Sequence, residues 1–167
     1  MNSGDHGPVN IVFAGLGGQG VLKASDIAAD AAFRTGFDVK KSELHGMSQR
    51  GGSVSSDVRF GDRVLSPMVP PGEADFLVVI APDQVAVNQW QLRKGGVLIE
   101  PSAVDSSRLP NRKALNVALL GMLSTYLEIP EEHWLDAVRA NVPERFLEAN
   151  IVAFALGREA AQTEVIE

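Results

Sequence analysis

The chain of 167 residues contains no cysteine. This absence excludes every chemistry that needs a thiolate on this chain: ordinary ligation of an iron–sulfur cluster, a structural cysteine zinc site, a disulfide bond and a thiol nucleophile. Any such chemistry in which the protein takes part must be supplied by another chain.

Long hydrophobic runs and concentrated positive charge are also missing. The apolar stretches fall short of the roughly 18–20 residues that a membrane span requires, and Met1–Pro8 has no secretory signal pattern. The net charge is −6 and the basic groups, Lys40-Lys41 and a group at residues 108–113, are short, which predicts a solvated face rather than a nucleic-acid site. We expect a soluble, cytoplasmic protein with one domain over residues 9–167 and a poorly ordered N-terminus over residues 1–8.

Most catalytic signatures are absent as well. The three histidines, His6, His45 and His133, lie in different segments and show none of the spacings of zinc sites. No serine lies in a G-x-S-x-G elbow, so a hydrolase has no support. The sequence therefore predicts no metal site on this chain.

A glycine-rich turn after the first apolar run is the first functional feature that is present. Residues Asn10–Gly20 read N-I-V-F-A-G-L-G-G-Q-G, which is typical of a buried strand that turns into the first helix of a Rossmann-like unit. We expect Gly15 to permit a tight turn, Gly17 to let the backbone approach a bound group, and Gly20 to let helix and strand pack together. Free amides at the start of this helix favour a phosphate or another anion.

The second strand, predicted over Phe37–Lys41, departs from the NAD-binding pattern. A Rossmann domain that binds NAD carries an acidic residue near the end of this strand, where it holds the ribose hydroxyls. Here that end carries Lys40 and Lys41, and we expect Glu43 only in the following loop. The dinucleotide fingerprint is therefore incomplete.

The loop Glu43–Ser53, read E-L-H-G-M-S-Q-R-G-G-S, is unlike an ordinary connection. His45, Gln49 and Arg50 can all hydrogen-bond a carboxylate, phosphate or carbonyl, and the glycines among them allow unusual backbone angles and close approach. Loops of this kind carry function more often than packing. If the first two strands are neighbours in a parallel sheet, this loop and the glycine turn open on the same edge.

The rest of the chain predicts an α/β fold. The alternation over Val54–Phe60 predicts a half-buried antiparallel strand, and Gly61-Asp62 predicts a turn to a partner strand over Arg63–Ser66. Further elements are a central strand over 76–80, a helix over 82–90, a strand over 97–99, and helices over 114–127, 131–140 and 144–159. The expected architecture is a Rossmann-like three-layer sandwich with a mixed sheet, an inserted β-hairpin and a C-terminal helical layer.

In combination these features resemble a known family, the gamma-type subunit or domain of the 2-oxoacid:ferredoxin oxidoreductases. The resemblance rests on G-L-G-G-Q-G-V at Gly15–Val21 and on E-x-H-G-M-x-Q-R-G-G-S at Glu43–Ser53. It continues in V-R-F-G-D at Val58–Asp62, S-P at Ser66-Pro67, G-E-A-D at Gly72–Asp75, Gly95-Gly96, Asn116, and E-A-N at Glu148–Asn150. Within the family, the wording H-G-M-S-Q-R-G-G is most similar to the small beta subunit of indolepyruvate:ferredoxin oxidoreductases.

The resemblance implies an accessory role in a larger enzyme, inactive when this chain is alone. Such enzymes oxidatively decarboxylate a 2-oxoacid to an acyl-CoA, with thiamine diphosphate as electron sink and iron–sulfur clusters that reduce ferredoxin. Because this chain has no cysteine and no G-D-G…N-N motif, the resemblance implies that thiamine diphosphate, magnesium and the clusters lie on a large partner subunit.

The resemblance also implies contact with the coenzyme A side of the reaction. It is carried over to two sets of matched residues. The candidates for contact with a CoA-type phosphate are Gly15, Gly17, Gly18, Gln19, Gly20, Gly51 and Gly52. The candidates that face the partner or the acyl-acceptor entrance are His45, Gln49 and Arg50.

Several alternatives stay open at this point. One alternative is a stand-alone dinucleotide-binding protein, in which Lys40 and Lys41 would bind the 2′-phosphate of NADPH. Another is a structural scaffold, in which the glycine turn serves packing only and binds no ligand. A further alternative is that Arg50 has a structural role only, in which it ties its loop to the backbone of the domain. Pyruvate, 2-oxoglutarate and branched 2-oxoacids remain alternatives to indolepyruvate, because the partner would form the substrate pocket.

Overall fold

The computed structural model describes residues 7–45 and 51–164. The strands are β1 (Val9–Leu16), β2 (Asp38–His45), β3 (Ser53–Gly61), β4 (Ala74–Val79) and β5 (Leu92–Ile99). The helices are α1 (Val21–Arg34), α2 (Val85–Asn88), α3 (Leu115–Ser124), α4 (Glu131–Asn141) and α5 (Glu144–Glu164). Within the described ranges, no helix is long and apolar enough to cross a bilayer. Residues 1–6 lie outside those ranges, so the disorder expected for residues 1–8 stays a prediction.

The five strands form one mixed sheet in the order β2-β3-β1-β4-β5. β1 lies at its centre, parallel to β4 and antiparallel to β3, while β2 pairs antiparallel with β3 and β5 parallel with β4. The predicted α/β fold with a mixed sheet is confirmed. The expectation that the first two strands are neighbours in a parallel sheet is wrong. β3 runs back antiparallel to β2 and lies between β2 and β1.

The sheet separates two apolar layers, as the alternation along β1 requires. Ile11 and Phe13 face the larger layer, which α1, α3, α4 and α5 cover, whereas Val12 and Ala14 face a smaller layer closed by Val69 and α2. The spacing of small apolar residues along α1 predicts one inner face for this helix, and that face is buried. Its members are Val21, Ala24, Ile27, Ala28 and Ala31. Small alanines bring α1 close to the sheet.

The predicted partner strand over Arg63–Ser66 does not form. Both sides of β3 are already occupied, by β1 and β2, so no ladder position is left for it. The segment instead runs over the smaller layer and is held by side chains. Asp38 Oδ2 accepts from the Val64 amide at 2.8 Å, and Arg59 donates to the Ser66 carbonyl at 2.9 Å. The antiparallel hairpin of this fold is β2–β3.

A buried carboxylate anchors the same segment. Asp57 Oδ2 accepts from the Val69 amide at 2.9 Å, and only 7% of Asp57 is exposed. Burial raises the pKa of the Asp57 carboxyl, although the Val69 amide and the charge of Arg59 act in the opposite direction.

Several predicted boundaries change. β2 continues to His45, so Glu43 lies in the strand rather than in a loop, and β5 begins at Leu92 rather than Val97. The helix expected over 82–90 is broken into two 3-10 turns around the four residues of α2. The three C-terminal helices are present, and α5 extends to Glu164.

Two glycines set the closest approach in the helical layer. A Cβ at Gly121 of α3 would overlap the backbone carbonyl of Phe154, and a Cβ at Gly157 of α5 would overlap the carbonyl of Ala118. The two helices therefore pack backbone to backbone at these positions. Any side chain there must push α3 and α5 apart.

We predict that Gly157→Ala destabilises the protein by about 1–2 kcal/mol, because an overpacking cost of about 2–3 kcal/mol outweighs the roughly 1 kcal/mol that alanine gains in helix propensity. Urea unfolding followed by circular dichroism measures this change. Gly7→Ala is the matched control, since Gly7 faces open space, and its effect should stay within about 0.5 kcal/mol. Equal stability of Gly157→Ala and wild type would contradict the close helix contact.

Candidate functional site

The carboxyl ends of β1 and β4 form a topological switch point. The chain leaves β1 into α1 on the larger apolar layer, and it leaves β4 into the turn before α2 on the smaller layer. The two connections diverge to opposite faces and leave a crevice between the strand ends, which is where open α/β sheets bind ligands. The glycine turn Leu16–Gly20 lies at this crevice.

The glycine turn has a left-handed backbone at two of its glycines. Gly18 has φ 87° and Gly20, the residue before α1, has φ 80°. Gln19 closes the turn, because its Oε1 accepts from the Leu16 amide at 2.7 Å and its own amide donates to the Leu16 carbonyl at 3.2 Å. Gln19 is thus the side chain that holds the turn in shape.

The glycines have different packing roles from those expected. Gly15 lets strand and helix meet, since a Cβ there would lie 2.8 Å from Val21 Cγ2. Gly20, expected to serve that contact, instead makes room for Asn116 at the start of α3. Asn116 fixes this contact with a hydrogen bond from its Nδ2 to the Gly20 carbonyl at 3.1 Å.

Gly17 brings the two sequence motifs into direct contact. Its amide donates to the Gly52 carbonyl at 2.9 Å, and a Cβ on Gly17 would lie 3.5 Å from the Gly51 amide nitrogen. The close approach expected at Gly17 is therefore made to the chain's own backbone. The glycine turn and the end of the 43–53 motif lie at the same end of the sheet, as predicted, although β3 lies between β1 and β2.

The polar residues of the 43–53 motif are described only in part. His45 is the last residue of β2, where its backbone lies opposite Val54. Gln49 and Arg50 lie outside the described residues, so their expected roles stay predictions. The two described residues that flank positions 46–50, His45 and Gly51, lie at the same end of the sheet as the glycine turn.

A cleft of about 510 Å³ opens beside the glycine turn. Gly18–Gly20 and Lys23 form one wall, the turn Arg112–Ala114 with the start of α3 forms a second, and the start of α5 with Phe146 forms a third. Amide side chains also line it. They are Gln19, Asn111, Asn116 and Asn150. The cleft therefore joins the turn to the C-terminal helical layer.

The cleft is cationic in a chain whose net charge is −6. Lys23, Arg112 and Lys113 line it, and none of them forms an ion pair with another residue of ranges 7–45 and 51–164. Phe146 adds an aromatic side chain that is 40% exposed, with the Arg145 guanidinium 4.8 Å from the centroid of its ring. Unpaired cations, amide donors and one aromatic ring suit a phosphorylated ligand with a planar base.

The lysines of β2 are engaged elsewhere. Lys41 reaches Asp26 of α1 and contacts Glu43 at 3.0 Å, while Lys40 lies 3.6 Å from Asp38. Desolvation by burial lowers the pKa of Lys41, but the hydrogen bonds and charges of Asp26 and Glu43 outweigh it and leave the pKa raised. These ion pairs count against a 2′-phosphate site on β2.

Sequence reasoning missed most of this cleft. Arg112 and Lys113 were expected on a solvated face, and nothing in the local pattern connects them with Lys23 or Phe146. Beyond the glycine turn itself, Asn116 and Asn150 carried a usable signal, because both belong to motifs of the family resemblance. Asn116 has just 6% of its surface exposed, at the start of an otherwise apolar helix.

Comparisons with known proteins identify the family of this chain. Residues 10–113 match the family described as "Pyruvate ferredoxin/flavodoxin oxidoreductase". The chain is 33% identical over 193 residues to "Indolepyruvate oxidoreductase subunit IorB" of Thermococcus kodakarensis, covering 92% of this chain and 96% of that protein.

Two solved structures share the fold. A keto/oxoacid ferredoxin oxidoreductase gamma subunit from Geobacter sulfurreducens superimposes with a TM-score of 0.79 at 27% identity, covering 93% of this chain and 99% of that one. A 2-oxoglutarate:ferredoxin oxidoreductase from Magnetococcus marinus gives 0.80 at 18% identity, over 94% of this chain and 31% of the other. The chain thus belongs to the pyruvate ferredoxin/flavodoxin oxidoreductase family, as a small subunit of a 2-oxoacid:ferredoxin oxidoreductase.

Proposed function

We propose that this chain is the small subunit, without redox cofactors of its own, of a thiamine-diphosphate-dependent enzyme. The enzyme oxidatively decarboxylates indolepyruvate, or another arylpyruvate, to an acyl-CoA and reduces ferredoxin. The observation that supports this proposal best is the likeness to an indolepyruvate oxidoreductase subunit along almost the full length of both chains.

The redox chemistry belongs to a large catalytic partner in this proposal. Thiamine diphosphate with magnesium supplies the electron sink for decarboxylation, and iron–sulfur clusters carry the electrons to ferredoxin. A chain without cysteine has no thiolates for such clusters, and the part of the chain that the structure describes has no group of three or more potential metal ligands. The small subunit therefore acts through its surfaces and is inactive alone.

The edge built by Gly17, Gly51 and Gly52 is the surface that we assign to the partner and to the acyl-acceptor entrance. The Gly17–Gly52 hydrogen bond ties the end of the 43–53 motif to the glycine turn. Arg50 stands two residues before Gly52 in the sequence, and we assign it, together with His45 and Gln49, to a carboxylate or phosphate on the partner side. A planar guanidinium fits these groups with two hydrogen bonds, which lysine cannot reproduce.

We assign the cationic cleft to the nucleotide end of coenzyme A. Lys23, Arg112 and Lys113 would hold the phosphate groups, and the exposed ring of Phe146 would receive the adenine. The donor set fits, because the cleft offers three unpaired cations and several amides beside the glycine turn. The 2-oxoglutarate:ferredoxin oxidoreductase from Magnetococcus marinus, of which this chain covers 31%, was solved with coenzyme A bound.

Co-expression with the catalytic subunit is the direct test of the proposed function. We expect a stable complex whose reduction of ferredoxin depends on indolepyruvate and CoA and requires both chains. Faster turnover with pyruvate, 2-oxoglutarate or a branched 2-oxoacid would overturn the substrate and keep the subunit role. A partnerless chain that binds NADPH would instead support the stand-alone dinucleotide protein.

Arg50→Lys and Arg50→Ala test the shared edge. Both should lower turnover of the complex at least about tenfold, because neither side chain offers two parallel donors. Steady-state ferredoxin reduction and size-exclusion chromatography separate loss of activity from loss of association. Arg139→Ala is the control, since Arg139 pairs with Asp136 on the exposed face of α4. Unchanged turnover and association in both Arg50 variants would leave Arg50 a merely structural residue.

Lys23→Ala and Lys113→Ala test the cleft. Each should raise KM for CoA about fivefold with little effect on KM for the 2-oxoacid, because a solvent-exposed contact to phosphate is worth about 1 kcal/mol. Lys94→Ala is the matched control, since exposed Lys94 lies near the start of β5, at the opposite edge of the sheet. If KM for CoA stays the same in both cleft variants, the CoA assignment is wrong while the subunit role stands.

A further inference from the structure

β2 is an edge strand with an open outer side. It pairs with β3 over all eight of its residues, from Asp38 opposite Gly61 to His45 opposite Val54, without a register shift. No strand of the described residues lies beyond it. Its outer row of backbone donors and acceptors is therefore regular and available for another strand.

The other edge of the sheet is protected against such pairing. β5 is shifted in register against β4 between Ala74 and Phe76, and Gly95 within β5 has φ 76°. Arg93 and Lys94 place two adjacent charges there. Bulges and lysines are devices by which proteins block edge-to-edge association. β2 carries charges too, at Asp38, Lys40, Lys41 and Glu43, but its pairing with β3 has no register shift.

We propose that two copies of this chain associate through β2, with the strands antiparallel about a twofold axis at Ser42. The two five-stranded sheets then form one continuous sheet. This association goes beyond the proposed function and uses the open side of β2, although His45 at the end of β2 also belongs to the motif that we assign to the partner.

Charge and the length of the pairing together select this register. A twofold axis between antiparallel strands stands perpendicular to the sheet, so paired residues must face the same side and their numbers add to an even sum. Centring the axis on Lys40, Lys41 or Glu43 puts two like charges opposite each other, which is unfavourable, and centring it on Val39 or Leu44 leaves only three residues of β2 in the ladder. Centring it on Ser42 puts Lys41 of each copy opposite Glu43 of the other, and Lys40 opposite Leu44.

Exposed apolar side chains flank the same edge. Ser42 and Leu44 lie on the face of the smaller apolar layer, because Ser42 pairs with Asp57 and Asp57 with Val12. Leu44 is 56% exposed there. The segment that crosses this face next to β3 adds two more such residues, Leu65 at 78% and Met68 at 53%. Pairing through β2 would bury part of this apolar surface, which favours association.

A single engineered cysteine tests the register, because the chain has none of its own. Opposed residues of antiparallel strands have Cα atoms roughly 4.5 or 5.5 Å apart, which a disulfide spans. Ser42→Cys in the full chain should therefore form a disulfide-linked dimer on mild oxidation. Lys40→Cys and Leu44→Cys should each stay monomeric on denaturing gels, whereas the double variant should cross-link again.

Light scattering after size exclusion tests the association itself. The wild-type chain should show twice the monomer mass at high concentration, and Ser42→Lys should raise the dimer dissociation constant at least about tenfold through like charges at the axis. Val87→Lys adds the same charge at another exposed position and should leave the dimer intact. Circular dichroism confirms folding of each variant. A wild-type chain that stays monomeric at every concentration, or cross-linking by Leu44→Cys or Lys40→Cys in place of Ser42→Cys, overturns the proposal.

Discussion

The hydrogen bond from the Gly17 amide to the Gly52 carbonyl is the contact on which the site depends. It joins two glycine motifs that lie 35 residues apart, 17 and 52, and holds them at one edge of the sheet. A side chain at Gly17 would face the Gly51–Gly52 backbone at van der Waals distance. The bond therefore converts two separate turns into one surface. The proposed roles of the 43–53 motif and of the crevice both rest on that surface.

Small residues decide how the remaining layers approach this edge. Alanines bring α1 close to the sheet, Gly20 admits Asn116, and Gly121 and Gly157 let α3 and α5 pack backbone to backbone. Because α3 is held from both ends, its first turn lies beside the glycine turn. The cleft is a consequence of this packing, and so is its charge, since Lys23 and Arg112 come from separate elements that both line it.

The basic side chains of this protein have two different environments. Lys41 is satisfied by Asp26 and Glu43 and so stabilises the junction of β2 and α1, whereas the cations of the cleft have no partner within the described part of the chain. This division distinguishes the protein from a dinucleotide-binding Rossmann domain, in which the end of the second strand contacts the ligand. In an assembly whose cofactors lie on another subunit, a small chain contributes binding surface and orientation rather than reactive groups.

The sequence by itself determined the fold class, the place of the glycine turn, the buried face of α1 and the absence of thiolate chemistry. Each of these depends on composition or on a period of two to four residues, which local reading detects. Only the tertiary structure decided that β3 lies between β1 and β2, that Arg63–Ser66 has no strand to pair with, and that Lys23 and Phe146 share a cleft. These features depend on contacts between residues distant in sequence, and such contacts follow from which edges and faces are already occupied when the chain packs.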